Sequence, residues 1–160
     1  MIGIAIAVVA AGVAAGGLVY WAIAWWIAAS RIKEQDGLRY IGTPPRGLDG
    51  FVDSMLLAIE PHLSPSFDAE AFLRQLLVTF VAAEYVEAPL NVRAQGYTSS
   101  SRSCTVAVGV TPRPVGRTAL AHEVAHAALM ADGYPITENT AHVWPVGLRN
   151  AISTLDAAHR

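Results

Sequence analysis

The sequence predicts an α+β protein in which an N-terminal transmembrane helix precedes a small domain that is mostly helical and has a short β-sheet. Three observations support this fold class. No charged residue occurs from Ile2 to Ser30, several later segments carry apolar residues at helical spacing, and the segment from Cys104 to Val110 alternates with the period of a strand. The chain is therefore predicted to contain a membrane anchor over residues 1–30, a juxtamembrane linker over 31–50 and a domain over 51–160.

The uncharged N-terminal segment is longer than the roughly 20 apolar residues that cross a bilayer. Four aromatic residues, which prefer the level of the lipid headgroups, gather at its C-terminal end: Tyr20, Trp21, Trp25 and Trp26. A cleaved signal peptide is the alternative, because small residues at Ala22, Ala24, Ala28 and Ser30 offer cleavage sites. No basic residue precedes the run, however, and it is longer than a signal core. We therefore expect a single-pass membrane protein.

Basic residues follow the apolar segment and none precedes it; they are Arg31, Lys33, Arg39 and Arg46. Positive charge favours the cytoplasmic side, so the C-terminal domain is predicted to be cytoplasmic. Gly12 and Gly16 form a G-x-x-x-G pair, which allows close approach of two membrane helices and predicts homo-association. The alternative is that glycine and alanine are simply common in this segment.

Beyond the glycine- and proline-rich linker, a short helix is predicted from Asp49 or Gly50 to Glu60, because Phe51, Met55 and Ile59 recur every four residues. A second helix is predicted from an N-cap at Ser66, with a final part from Val78 that could be a strand. Residues 88–103 are polar and predict an exposed loop or a loose hairpin. A last amphipathic helix carries Leu148, Ile152 and Leu155.

The most informative stretch is A-H-E-V-A-H-A at residues 121–127, on a helix predicted to start at an N-cap, Thr118, and to stop before Gly133. Residues four apart share a helix face, so His122 and His126 can direct two imidazole nitrogens at one zinc ion. Glu123 can hold a water beside that ion and take its proton. The helix is otherwise apolar all round and therefore buried, and a metal would satisfy polar groups that are costly to bury. The alternative is a coincidental motif whose histidines hydrogen-bond in the core or face solvent.

A catalytic zinc keeps three protein ligands, so a third donor is needed. The candidates are Asp132, Glu138, His142, Asp156 and His159. Thr137 can cap a new helix with Glu138 in its first turn, and a short connection folds that helix back towards the motif. His142 lies four residues after Glu138 on the same face, so either can be the ligand.

The His-Glu-x-x-His spacing resembles the signature of the zincin metallopeptidases, and the eleven residues between His126 and Glu138 resemble the compact glutamate-zincins. The resemblance covers about residues 104–144 and implies a small zincin-like domain, a zinc cofactor, a peptide or protein substrate and Glu123 as general base. It favours Glu138 as third ligand, with His142 as the alternative. His142 or Tyr134 would donate to the developing oxyanion, and the strand from Cys104 could pair with substrate. The extended histidine pattern of metzincins is absent.

Other chemistry is poorly supported by the sequence. Cys104 is the single cysteine, so no internal disulfide can form, and a formal net charge of -2 argues against nucleic acid as a partner. The sequence therefore predicts a membrane-anchored, zinc-dependent metallopeptidase that hydrolyses peptide bonds with a zinc-activated water. The alternative is a non-enzymatic, membrane-tethered interaction protein whose metal site is structural or absent.

Overall fold

A computed structural model of the chain describes residues 21, 29–135 and 143–160. The chain divides into two compact units, residues 1–32 and 33–160, and the fold described below is that of the second. Almost all of the predicted anchor over residues 1–30, including Gly12 and Gly16, lies outside the described residues. Glu138 and His142 lie outside them as well.

The second unit is built on a mixed five-stranded sheet. The strand order is β1-β2-β3-β7-β6; β2, β3 and β7 are mutually parallel, whereas β1 and β6 run antiparallel to their neighbours at the two edges. A separate antiparallel pair is formed by β4 and β5. The strands are β1 (Lys33–Gln35), β2 (Leu38–Ile41), β3 (Leu77–Val81), β4 (Val86–Ala88), β5 (Val92–Ala94), β6 (Gly96–Ser100) and β7 (Ser103–Ala107).

Four helices occur among the described residues: α1 (Phe51–Ile59), α2 (Ala69–Gln75), α3 (Leu120–Ala131) and α4 (Leu148–Ala158). The helices α1 and α2 connect β2 to β3, as a parallel pair of strands requires a crossover. The helix α3 packs on β6 and β7, and α4 packs on α1. This arrangement places the predicted motif helix across the β6 edge of the sheet.

The core lies on one face of the sheet. Successive side chains of a strand point to opposite faces, and on β2, β3 and β7 the residues that alternate into the core are Leu38, Tyr40, Val78, Phe80, Cys104 and Val106. Their neighbours Arg39, Thr79 and Thr105 are half-exposed. The helices α1, α3 and α4 complete the core with Phe51, Met55, Val124, Leu129 and Ile152. The helix α3 is thus held between the sheet and the other helices.

The predicted fold class is wrong. Instead of a transmembrane helix followed by a mostly helical domain with a short sheet, the described residues form a mixed α/β fold with five strands in one sheet. None of the helices in the described part of the chain is long and apolar enough to cross a membrane. The sheet was underestimated because β1 and β6 are short and rich in polar residues, which is permitted where one sheet face is not buried, and because β2 has only four residues.

Several element boundaries also differ from the prediction. The helix expected from Ser66 begins at Ala69, because the carboxylate of Asp68 accepts a hydrogen bond from the Ala71 amide (2.8 Å) and so caps it. It ends at Gln75, and residues 77–81 form β3. The stretch 88–103, predicted as an exposed loop or a loose hairpin, contains β5 and β6, which pair with β4 and β7. The helices α1 and α4 and the strand at Cys104 are confirmed, although β7 ends at Ala107.

Candidate metal and catalytic site

The two motif histidines converge on one point. His122 is half-exposed and His126 is 8% exposed on α3, and their Nε2 atoms lie 3.1 Å apart. The ring planes meet at 74°, so the nitrogens approach each other edge-on rather than through stacked faces. Both rings thus direct the same type of donor atom into the same small volume.

This separation fits a shared metal ion. A tetrahedral zinc ion lies about 2.05 Å from each imidazole nitrogen, which would hold two such nitrogens about 3.3 Å apart. The observed 3.1 Å is close to that value. Imidazole is also a donor that suits zinc. The described donors therefore fit two of the ligand positions of a zinc ion.

Glu123, which follows His122 on α3, is buried, with 6% of its surface exposed. Its Oε2 accepts a hydrogen bond of 2.8 Å from the hydroxyl of Thr98 on β6, and the same hydroxyl lies 2.8 Å from the main-chain oxygen of Glu123. Burial raises the pKa of the Glu123 carboxyl from 4.5 to about 7, while the Thr98 hydrogen bond lowers it. A carboxyl with a pKa near neutrality is suited to exchange protons at physiological pH.

Trp144 packs against both histidines. The centroid of its ring system lies 4.8 Å from that of His122 and 5.0 Å from that of His126. Trp144 is itself partly buried against the core. A residue only two positions after His142 in the sequence therefore contacts both imidazoles.

Three of the predicted third-ligand candidates lie away from the histidine pair. Asp132 accepts hydrogen bonds from the amide of Ser64 (2.8 Å) and from its hydroxyl. His159 lies edge-on against Phe51, with Nδ1 at 3.0 Å from the Leu155 carbonyl oxygen. Asp156 is half-buried on α4, where burial raises the pKa of its carboxyl to about 6 and the charges of Arg160 and His159 lower it. None of the three joins the histidine pair.

Within residues 29–135 and 143–160, no three histidine, cysteine, aspartate or glutamate side chains lie together so as to hold a metal ion. Glu138 and His142, the two preferred third ligands, lie outside the described residues. Tyr134, the other predicted oxyanion donor, is half-buried against the core just beyond α3. The structure thus brings His122 and His126 together, buries Glu123 of the same helix against β6, and leaves the third ligand as a prediction.

Cys104 lies on β7 beneath the site and is fully buried. Burial, and secondarily the charge of Glu123, raises the pKa of the Cys104 thiol well above its usual range. The thiol therefore stays protonated near neutral pH and is not a nucleophile.

Sequence reasoning missed three residues of the site: Gly96, Thr98 and Trp144. Gly96 and Thr98 lie in a polar stretch predicted as an exposed loop or a loose hairpin, 25 or more residues before Glu123. Their alternation with Tyr97 over G-Y-T-S-S is compatible with a strand, but the residues are too polar to indicate one clearly. Trp144 follows the motif by 18 residues, and an isolated tryptophan carries no sequence pattern.

No protein-family model, curated protein or solved structure matches the chain.

Proposed function

We propose that the protein is a zinc-dependent metallopeptidase whose reaction centre lies between α3 and the β6 edge of the sheet. The observation that carries the proposal is the convergence of two imidazole Nε2 atoms 3.1 Å apart on a helix that also carries the buried carboxylate of Glu123. Two nitrogen donors and an adjacent carboxylate that is not a ligand are what metal-assisted hydrolysis needs.

His122 and His126 bind the metal, and Glu138 is the third ligand, with His142 as the alternative. Trp144 supports this assignment. It contacts both imidazoles, and Glu138 precedes it by only six residues in the sequence. Zinc held there would supply Lewis acidity towards a substrate carbonyl and towards a water molecule. A three-ligand set leaves room for that chemistry, whereas a closed four-ligand set would not.

Glu123 moves the proton. Its Oε2 accepts the Thr98 hydrogen bond, so Oε1 is the oxygen that takes a proton from the attacking water and then delivers it to the leaving amine of the peptide. Burial gives this carboxyl a higher affinity for a proton than an exposed glutamate has. The higher affinity favours its role as the acid that holds the proton until the leaving amine takes it. Glu123 is therefore both the base and the acid of the reaction.

The test is hydrolysis of a mixture of unstructured peptides by the zinc-loaded full chain, with the products identified by mass spectrometry. We expect cleavage by the wild type and a loss of at least about 100-fold in rate for Glu123→Gln, because general-base catalysis contributes on that order. Zinc content should be equal in the two proteins, because Glu123 is not a ligand.

The matched control is Glu60→Gln, the same chemical change at an exposed residue that follows α1. This variant should cleave like the wild type. Equal cleavage by wild type and Glu123→Gln, or no cleavage by zinc-loaded wild type, would refute the proposed function.

A further inference from the structure

Gly96, on the edge strand β6, does not owe its identity as a glycine to its backbone conformation. It does not have the positive φ angle that makes glycine necessary at Gly42, Gly109 and other turns of this chain. It pairs with Val106 of β7 within the regular antiparallel ladder. Its backbone conformation therefore does not require a glycine.

The space beside Gly96 is occupied by Glu123. A Cβ atom at residue 96 would lie 2.7 Å from Glu123 Cγ and 3.1 Å from Glu123 Oε1, and 3.0 Å from the Thr105 carbonyl oxygen. Contacts of 2.7 Å between carbon atoms are far inside van der Waals distance. Because Gly96 has no side chain, the Glu123 side chain can lie against the sheet at this position.

Thr98 lies two residues further along β6, so it shares a sheet face with Gly96. Its hydroxyl lies 2.8 Å from both Glu123 Oε2 and the Glu123 main-chain oxygen. The first contact fixes the end of the side chain and the second ties the strand to the helix at the same residue. Since a hydroxyl has one hydrogen, it serves one of these acceptors at a time.

We propose that Gly96 and Thr98 form a positioning element on β6 that fixes the carboxylate of Glu123 for proton transfer. The inference rests on the proposed peptidase function, in which Glu123 is the proton-transfer group. A glutamate side chain has three rotatable bonds, and holding it in one conformation before substrate arrives removes an entropic cost from the reaction. Gly96 and Thr98 contact the glutamate rather than the substrate, so they are positioning residues.

The decisive variants are Thr98→Val, which removes the hydroxyl but keeps the branched shape of a strand residue, and Thr98→Ser, which restores the donor. Gly96→Ala fills the space that Glu123 occupies. Thr79→Val is the matched control, because Thr79 is half-exposed on the central strand β3 and points to the opposite sheet face from the core. Each variant is made in the full chain, and circular dichroism verifies that it folds.

The first readout is independent of hydrolysis: a crystal structure of each metal-free variant, compared with that of the wild type. We expect the Glu123 carboxylate to leave its position or to adopt several conformations in Thr98→Val and Gly96→Ala, and to stay in place in Thr98→Ser and Thr79→Val. A Glu123 carboxylate that keeps its wild-type position in both Thr98→Val and Gly96→Ala would overturn the proposal, whatever the activity.

The second readout is steady-state peptide cleavage together with zinc content. We expect kcat to fall about ten- to hundredfold in Thr98→Val, the size of a lost hydrogen bond to a charged group, with KM and zinc content unchanged. Thr98→Ser should recover most of the rate. Unchanged kcat in Thr98→Val, or no recovery in Thr98→Ser, would overturn the positioning role. If zinc-loaded wild type cleaves no peptide, the proposed function fails, while the structures still decide whether Thr98 and Gly96 position Glu123.

Discussion

Glu123→Gln should stabilise the metal-free protein above neutral pH, although we expect it to slow hydrolysis by about 100-fold or more. The carboxyl is 6% exposed, and burial raises its pKa from 4.5 to about 7, which corresponds to about 3 kcal/mol. Glutamine has nearly the same shape, carries no charge, and its carbonyl oxygen can still accept the Thr98 hydrogen bond. The variant therefore removes the cost of a buried charge without creating a cavity.

The sign of the pH dependence follows from the two states. Below pH 4.5 the Glu123 carboxyl is protonated in both the folded and the unfolded chain and costs nothing. Between about pH 4.5 and 7 the unfolded chain has lost this proton while the folded chain retains it, so the stability of the wild type falls as pH rises. Above pH 7 the loss is complete and stays constant.

The assay is urea unfolding, followed by circular dichroism at pH 4.5, 6 and 8 with a chelator present. Relative to Glu123→Gln, the wild type should lose about 3 kcal/mol of unfolding free energy between pH 4.5 and 8. Glu60→Gln, at an exposed residue, should follow the wild type. If wild type and Glu123→Gln change in parallel over this range, the buried carboxyl does not carry the cost assigned to it.

Three further predictions concern other parts of the molecule. Asp156 Oδ1 is buried without a hydrogen-bond partner among the described residues, and the raised pKa of Asp156 implies that stability falls as pH rises from 3.8 to about 6. Asp156→Asn should weaken this fall in urea unfolding, and an identical pH profile would contradict the assignment. Gly42 has a φ of 95°, and a Cβ there would lie 2.2 Å from the Phe80 carbonyl oxygen. Gly42→Ala should therefore cost about 2 kcal/mol or more of unfolding free energy. A loss below about 0.5 kcal/mol would argue against that turn. Because Trp144 contacts both imidazoles, zinc should change the tryptophan fluorescence of the wild type but not that of Trp144→Phe. An equal change in both proteins would show that another tryptophan responds to zinc.

The core of the site was predictable because it depends on one helix. The spacing of His122 and His126 determines that they share a face, and the apolar residues around them indicate that the helix is buried. The structure places both imidazole Nε2 atoms within 3.1 Å of each other and buries Glu123 on the same helix. Geometry of this kind follows from helical periodicity alone.

The remainder of the site was not predictable because it depends on contacts between distant segments. Thr98 reaches Glu123 only because β6 pairs with β7 at the sheet edge over which α3 packs. The register of a polar strand is poorly specified by its own sequence. Trp144 contacts both histidines from a position 18 residues after the motif, and an isolated tryptophan carries no pattern that predicts such a contact.

The fold was predictable where burial imposes a period. The helices α1 and α4 were found because Phe51, Met55 and Ile59, or Leu148 and Ile152, recur on one face and are buried. The strands β1 and β2 were missed because K-E-Q and L-R-Y-I are short, and only Leu38 and Tyr40 among them enter the core. The expected membrane helix, inferred from apolar length and from the aromatic residues at its C-terminal end, lies almost entirely outside the described residues.

The central claim is that His122 and His126 hold a zinc ion, and the most direct measurement is elemental analysis of the purified full chain beside two histidine variants. His126→Ala removes one of the converging donors, whereas His62→Ala makes the same change at a half-exposed residue outside the motif. We predict about one zinc per chain in the wild type and in His62→Ala, and none in His126→Ala. A zinc-free wild type after incubation with the metal, or full occupancy in His126→Ala, would contradict the account.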